Sequence, residues 1–264
     1  MSDDWLAVCR AAAEDVRGVL RELPTRDERE PVVGDGVGGD ETTAVDAAAE
    51  RVILERLRAI DGATIVSEEV GELAGDGRLR VVVDPIDGSL NAKRGIPFFS
   101  LSVAVAEGET MDDVVFAYVH DFGSGEEWTA ERGDGARLDG EELGELRPKE
   151  EIEILSFEAT LTSSVAENAA AMVGVAYRLR IMGSLALSLC HLAAGRVDAV
   201  CSLKAARAVD IAAAQLLVRE CGIAIELPEA PPFGSAPLDT EGRSRVVAAA
   251  TPEVCSQLFA ALSL

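Results

Sequence analysis

The sequence predicts a mixed α/β fold (α+β) in which helices and sheets form layers. Two observations support this fold class. Helical and strand-like hydrophobic patterns alternate along the chain, and that order is typical of stacked sheets and helices. The chain has 264 residues, 48% of them hydrophobic, which is enough material for one large domain or two closely packed halves.

The first half begins with a predicted amphipathic helix over residues 3–23, which Pro24 ends. The glycine-rich segment 31–39 predicts a mobile loop, and helical spacing returns over 40–60. A run of strands and a hairpin signal, GDGARLDG, complete this half. The strands are predicted at residues 64–66, 79–83, 99–106, 114–119 and 127–130.

The acidic stretch at residues 140–151 is the best internal boundary. We therefore expect one half at residues 1–140 and another at 141–264, packed together as one compact catalytic unit. Strands of the second half are predicted at residues 152–157, 178–181, 197–201, 222–226 and 244–248. The helices between and after them are predicted at residues 164–172, 184–194, 210–221 and 252–262.

Composition excludes several kinds of partner and site. The net charge of -23 repels nucleic acid and anionic lipid, so we expect no nucleic-acid partner and no membrane partner. The sequence has no leader-like start and no apolar run of the ~18 residues that a membrane span needs, which favours a soluble, cytoplasmic protein. Scattered cysteines and a scarcity of histidine argue against a sulfur-bound or imidazole-rich metal site. Any metal is expected to be bound by oxygen.

The sequence VVVDPIDGSLN places Asp84 and Asp87 at the end of an apolar strand. Pro85 predicts a turn, and Gly88 with Ser89 opens a helix-like segment whose backbone N–H groups suit a phosphate. Carboxylates beside a phosphate repel it. Mg²⁺ resolves that conflict, because it binds carboxylates, water and phosphate oxygens together. The alternative, a capped turn after a strand, explains one aspartate but not the whole motif.

DPIDGSLN resembles the signature of the inositol monophosphatase superfamily. Two further motifs stand in the family's order, IVSEEVGE at residues 65–72 and ARAVDIAAA at 206–214. GGDET, DPIDGSLNAKRGIPFFS and RIMGSLALSLCHLAAGRVDAV are similar to archaeal members that hydrolyse both fructose 1,6-bisphosphate and inositol 1-phosphate. The resemblance spans nearly the whole chain. It implies a layered αβαβα sandwich of the sugar-phosphatase type, and a homodimer.

The resemblance also implies a magnesium site with two or three ions, in which Mn²⁺ is a substitute. The implied ligands are four carboxylates and one backbone carbonyl: Glu68, Asp84, Asp87, Asp210 and the carbonyl of Ile86. Asp40, in the glycine-rich loop, is similar to an aspartate that completes a third metal site and assists catalysis together with Thr42 and Thr43. Taken singly, Glu68 also fits a solvated loop, and Asp210 and Asp40 also fit helix caps.

The implied reaction is hydrolysis of a small-molecule phosphate ester by a metal-activated water that attacks phosphorus in line with the leaving alkoxide. In this scheme Glu68 and the Ser89 hydroxyl orient or deprotonate the water. Asp87 and Asp210 contact the substrate near its leaving group. A covalent phosphoenzyme is not required, because the histidine-poor sequence suggests no nucleophilic triad.

Substrate recognition is expected from residues that the resemblance places near phosphate and sugar: Asp87, Gly88, Ser89, Arg180, Gly183, Ser184, Lys204 and Asp210. A basic residue suits an anionic bisphosphate, although Lys204 and Arg180 also fit solvated side chains. Val209 stands where inositol-specific animal enzymes commonly have Trp, which favours a sugar bisphosphatase. The alternatives are a phosphatase for 3′-phosphoadenosine 5′-phosphate or NADP, and a noncatalytic phosphosugar-binding regulatory protein.

Acidic residues occur throughout the chain, whereas Lys93, Lys149 and Lys204 are its lysines. This composition is typical of proteins from salt-loving archaea, so we expect a halophilic protein; an acidic mesophilic protein is the alternative. Because salt screens repulsion between surface carboxylates, transfer from molar to dilute KCl is expected to unfold the protein. Circular dichroism across a KCl series measures this. Equal stability from dilute to molar KCl would reject the halophilic interpretation.

Overall fold

The computed structural model describes residues 2–37, 41–146, 149, 151–158 and 161–262. Within them the helices are α1 (Ser2–Glu22), α2 (Arg26–Arg29), α3 (Ala44–Leu57), α4 (Ser89–Arg94), α5 (Thr162–Ala169), α6 (Leu185–Ala193), α7 (Ala208–Glu220) and α8 (Pro252–Leu262). Short 3₁₀ turns lie at Met111–Asp113, Ala170–Met172 and Phe233–Ser235.

The strands of the described part begin with a pair, β1 (Val32–Asp35) and β2 (Glu41–Thr43). A large sheet follows, built from β3 (Thr64–Ser67), β4 (Gly71–Leu73), β5 (Arg80–Asp87), β6 (Ser100–Ala106), β7 (Val114–Asp121), β8 (Glu127–Glu131), β9 (Gly135–Leu138) and β10 (Glu141–Glu142). A smaller sheet contains β11 (Ile152–Glu158), β12 (Ala176–Arg180), β13 (Ala199–Ser202), β14 (Ala224–Glu226) and β15 (Val247–Ala249).

The large sheet has the order β10-β9-β8-β7-β6-β5-β3-β4 and is antiparallel except where β3 pairs with β5. The smaller sheet has the order β12-β11-β13-β15-β14, with β11 parallel to both of its neighbours. The carboxyl ends of β3 and β5 therefore lie side by side, as do those of β11, β12 and β13. Side chains that follow these strands are brought to the same edge of each sheet.

Three apolar clusters separate the layers. One joins α1 and α3 to one face of the large sheet, a second joins α6 and α7 to its other face and to the smaller sheet, and a third joins α8 to the outer face of the smaller sheet. Helix α7 is apolar on almost every side because it is covered by both sheets. The order helix, sheet, helix, sheet, helix confirms the predicted αβαβα sandwich.

Several segments differ from the sequence prediction. The helix expected over residues 40–60 begins only at Ala44, because residues 41–43 form β2. The glycine-rich segment expected to be a loop contains β1, whose β-branched Val32 and Val33 suit an extended strand paired with β2. Strand β5 does not end at Asp84 but continues to Asp87. The register shift between those two residues accommodates Pro85, which has no N–H group to donate to the neighbouring strand β6.

No helix in the described ranges is both long and apolar enough to cross a membrane. The hairpin predicted from GDGARLDG is confirmed, since β9 and β10 are joined through Asp139 and Gly140, both at positive φ.

Leu217 lies in the C-terminal half of α7 and is fully buried between the two sheets. Leu217→Ala is expected to lower the free energy of unfolding by about 2–5 kcal/mol, because it leaves a cavity where the helix contacts the core. Urea unfolding in molar KCl measures the change. Val173→Ala is the matched control, since Val173 is 84% exposed and should change stability by less than about 0.5 kcal/mol. Equal effects of the two substitutions would contradict this core assignment.

Candidate active site

A cavity of about 600 Å³ lies where the strand ends of both sheets meet the start of α7. Its volume falls in the range of roughly 300–1,000 Å³ that is usual for small-molecule sites. The acidic lining residues are Glu41, Asp46, Glu68, Glu69, Asp84, Asp87, Glu158 and Asp210. The basic lining residues are Lys93, Lys204 and Arg207.

The end of β5 supplies two of the carboxylates, Asp84 and Asp87, both buried. An Asp84 oxygen accepts a hydrogen bond from the Ile86 N–H at 3.0 Å, which fixes its direction within the bulge. Ile86 also lines the cavity, and its carbonyl accepts a bond from the Ser89 hydroxyl at 2.9 Å. The predicted metal ligands of this motif and Ser89 therefore lie at one place.

Gly88 joins β5 to α4 at a φ of 94°, which is the left-handed region that favours glycine. A Cβ atom at this position would lie 3.0 Å from the carbonyl oxygen of Gly183 and 3.2 Å from that of Phe98. Glycine is thus needed for both the turn and the close approach of the segment that precedes α6. Gly183 itself lines the cavity, next to Gly88.

Asp87 is held by the N-terminus of α6. Its carboxylate accepts hydrogen bonds from the Ser184 hydroxyl and from the Ala186 N–H, the latter at 2.9 Å. Ser184 is also the N-cap residue of the helix and accepts a bond from the Leu187 N–H at 3.2 Å. Ser184, predicted to bind substrate, is therefore buried beneath Asp87 and orients it, while Gly183 is exposed to the cavity.

Two buried glutamates, which the sequence analysis did not single out, fix the loops beside these carboxylates. Glu158 accepts bonds from the backbone N–H groups of Met182 at 3.2 Å and Gly183 at 2.8 Å. Glu50 accepts a bond from the Glu69 N–H at 3.2 Å, immediately after Glu68. Buried carboxylates that accept several hydrogen bonds hold a backbone firmly, because leaving the donors unpaired would be costly.

Glu68 directly follows β3 of the large sheet, and Asp210 lies in the first turn of α7. The two meet through a third residue, Arg207. The Arg207 guanidinium donates to the Glu68 carboxylate and, at 3.3 Å, to Asp210 Oδ1. The Arg207 backbone N–H donates to Asp210 Oδ2 at 2.7 Å, a cap at the start of α7. Asp210 therefore is a helix cap and also lines the cavity, so the two predicted roles of this residue do not exclude each other.

Burial makes these carboxyl groups hard to ionise. It raises the pKa of Glu68 to about 7, against the opposing effect of the Arg207 guanidinium. Burial likewise raises the pKa of Asp87 to about 7, although the Ser184 hydroxyl lowers it. For Asp84, burial and then the nearby charge of Glu68 raise the pKa well above its usual range. The group is short of positive charge, as expected of a cation site.

The chemistry of these side chains fits a hard divalent cation. The candidate donors are carboxylate and carbonyl oxygens, which Mg²⁺ prefers over nitrogen and sulfur. In the described ranges, however, no three His, Cys, Asp or Glu side chains converge closely enough to hold an ion. Arg207 instead provides a positive charge between two of the carboxylates.

The remaining predicted residues differ in whether they line the cavity. Asp40 falls outside the described residues. Thr42 is buried and its hydroxyl donates to the Glu69 carboxylate, so it is tied to a cavity residue. Lys204 is exposed and lines the cavity. Arg180 is exposed at the end of β12, where its guanidinium donates to the Leu179 carbonyl, and it is not among the lining residues.

Sequence reasoning missed several charged residues of the cavity, among them Lys93, Glu158 and Arg207. A signal existed for Arg207, because its place three residues before Asp210 is the spacing of a helix cap. Glu158 directly follows a predicted apolar strand, as Asp84 does, which is an unusual place for a buried charge. Lys93 carried no signal of its own, since a single lysine is usually solvated.

Comparison with known proteins agrees with the motifs. The family described as "Inositol monophosphatase family" matches residues 5–263. A fructose-1,6-bisphosphatase/inositol-1-monophosphatase from Thermococcus kodakarensis is 33% identical over 223 residues, covering 84% of this chain and 83% of the relative. A bifunctional NADP phosphatase/NAD kinase from Methanococcus maripaludis is 27% identical over 247 residues, covering 83% of this chain and 42% of the relative.

A solved structure is similar over almost the whole fold. The crystal structure of an inositol monophosphatase-fructose 1,6 bisphosphatase has a TM-score of 0.86 and 27% sequence identity, covering 98% of this chain and 99% of that one. The family expected from the motifs is thus confirmed by an independent match over the full sandwich. The chain belongs to the inositol monophosphatase family.

Proposed function

We propose that the protein is a Mg²⁺-dependent phosphomonoesterase that hydrolyses sugar phosphates, with fructose 1,6-bisphosphate and inositol 1-phosphate as the leading substrates. Membership of a phosphatase family supports a phosphoric monoester hydrolase. The observation that carries the proposal is the gathering of four carboxylates from three distant segments around one cavity: Glu68, Asp84, Asp87 and Asp210.

The residues that would hold magnesium are these carboxylates with the Ile86 carbonyl. When bound, magnesium would supply water activation and neutralise the phosphate. Glu68 lines the cavity with these ligands, where its carboxylate would orient a water molecule or accept its proton. The Ser89 hydroxyl donates to Ile86 and keeps oxygen lone pairs with which to orient a water molecule.

Substrate binding is attributed to the basic side chains of the cavity and to its backbone N–H groups. Lys93 and Lys204 would attract the phosphate of an anionic ester into an otherwise acidic cavity. Gly88 and Gly183 leave the backbone open to close approach, because neither carries a side chain. A substrate with two phosphate groups uses such a pair of lysines better than a substrate with one.

Nucleophilic catalysis by cysteine has no support in the structure. Cys9, Cys190, Cys201, Cys221 and Cys255 are all buried, and burial raises the pKa of the Cys190 thiol well above its usual range. His191 packs between Phe98 and Trp128, with ring centroids 5.5 and 5.9 Å away. These observations favour direct attack by water.

A second candidate is a phosphatase for NADP or 3′-phosphoadenosine 5′-phosphate. The similarity to a bifunctional NADP phosphatase/NAD kinase favours this alternative. A noncatalytic phosphosugar-binding protein is the candidate from another class. For the leading candidate we further propose a cytoplasmic homodimer acting in gluconeogenesis, as the family resemblance implies.

The substrate proposal is tested by phosphate release in molar KCl with Mg²⁺. Four compounds are compared: fructose 1,6-bisphosphate, inositol 1-phosphate, NADP and 3′-phosphoadenosine 5′-phosphate. The highest kcat/KM is expected for fructose 1,6-bisphosphate, since its two phosphates can engage both lysines of the cavity. A nucleotide preference would overturn the substrate while keeping the reaction. No release by a folded, magnesium-binding protein would support the noncatalytic alternative.

Asp87→Asn tests the site itself. Removing one negative charge from the proposed metal ligands is expected to lower kcat by roughly 10³-fold, because metal assistance is worth several kcal/mol. Asn can still accept hydrogen bonds from Ser184 and Ala186, so the fold should persist. Asp61→Asn, in the exposed turn after α3, is the control and should keep full activity. Unchanged hydrolysis by Asp87→Asn would reject the assignment.

A further inference from the structure

Arg207 lies at the centre of the carboxylate group rather than at its rim. Its side chain is buried, and the residue as a whole is 8% exposed. The guanidinium donates to Glu68 and to Asp210 Oδ1, and the backbone N–H of the same residue donates to Asp210 Oδ2. Both carboxylate oxygens of Asp210 therefore accept hydrogen bonds from Arg207, and Glu68 pairs with the same guanidinium.

This arrangement places a positive charge beside buried carboxylates that would otherwise have only negative neighbours. Burial opposes the charge of Arg207, whereas the carboxylates of Asp210 and Glu68 outweigh that effect and raise the pKa of the guanidinium. Asp84 adds a further attraction to the same group. Charges taken out of water persist only when a partner of opposite sign accompanies them. Within the described chain, Arg207 provides such a partner for Glu68 and Asp210.

We propose that Arg207 is an internal counter-ion for the carboxylate group, and that it must release Glu68 and Asp210 before a divalent cation can bind them. The inference rests on the proposed metal dependence of this site. The positive guanidinium would repel a divalent cation placed beside it. The oxygens of Glu68 and Asp210 that this cation would need already accept hydrogen bonds from Arg207.

Two consequences follow from this exchange. The ion pairs of Arg207 compete with the metal, so they weaken its apparent affinity by the free energy needed to break them. The released guanidinium remains at the lining of the cavity, where the negatively charged ester would bind. Because arginine recognises phosphate in a planar, bidentate way, metal binding would make a phosphate-binding group available at the same moment.

The test is a calorimetric Mg²⁺ titration of the substrate-free protein, so that it does not depend on turnover. Arg207→Gln removes the positive charge and is expected to bind Mg²⁺ roughly tenfold more tightly than the unchanged protein, within the usual range for coupled equilibria. Its Tm should be lower in EDTA, and Mg²⁺ should raise that Tm by more than it raises the Tm of the unchanged protein.

Arg51→Gln is the matched control. It removes the same charge from the exposed surface of α3, where Arg51 pairs only loosely with Glu55 at 3.5 Å. Its Mg²⁺ affinity should equal that of the unchanged protein. A gain in affinity as large as that of Arg207→Gln would mean that net charge alone is responsible, which would overturn the proposal.

Arg207→Lys covers the case in which Arg207→Gln does not fold without metal. The ammonium keeps the charge but lacks the planar fork with which arginine bridges two carboxylates. The Mg²⁺ affinity of Arg207→Lys should therefore exceed that of the unchanged protein and, where Arg207→Gln can be measured, stay below that of Arg207→Gln. Equal or weaker Mg²⁺ binding by the Arg207 variants would overturn the proposal while leaving the metal site intact. An absence of Mg²⁺ binding in the unchanged protein would instead overturn the proposed metal dependence and this inference together.

Discussion

Repulsion among buried carboxylates is the constraint on which the rest of the site depends. Glu68, Asp84, Asp87 and Asp210 line one cavity, and burial hinders the ionisation of the first three. Such a group is tolerable only if positive charge enters it, because unpaired charges in a poorly solvated site are strongly unfavourable. Arg207 is the positive charge that the chain itself places there, and magnesium is the one that the proposed reaction requires.

The carboxylates also connect the large sheet to the helices of the middle layer. Asp87 leaves the large sheet and is bound by the start of α6, and Glu68 meets Arg207 at the start of α7. Both helices are packed between the sheets. A displacement of either helix would therefore move a carboxylate of the cavity. The geometry of the site thus depends on the apolar packing of the middle layer.

Acidic residues outnumber basic ones both in the whole chain and at the cavity. The chain is strongly acidic overall, yet Lys93, Lys204 and Arg207 gather around the cavity. The cavity has eight acidic and three basic lining residues, so an anionic ester would be attracted at short range by the individual lysines and by the proposed magnesium ion. Salt reduces the long-range repulsion more than the short-range attraction inside the cavity. An acidic surface is therefore compatible with a phosphorylated substrate.

The sequence by itself determined the alternating elements and the carboxylates of the DPIDGSLN motif, because hydrophobic periodicity and residue spacing are local properties of the chain. It could not determine that Arg207 pairs with Glu68, since 139 positions separate them, nor that Ser184 lies beneath Asp87. It also missed the extension of β5 past Pro85, where pairing with β6 overrides the local turn preference. Which residues pair across such distances depends on how the two sheets pack around α6 and α7, and this packing is a property of the tertiary structure.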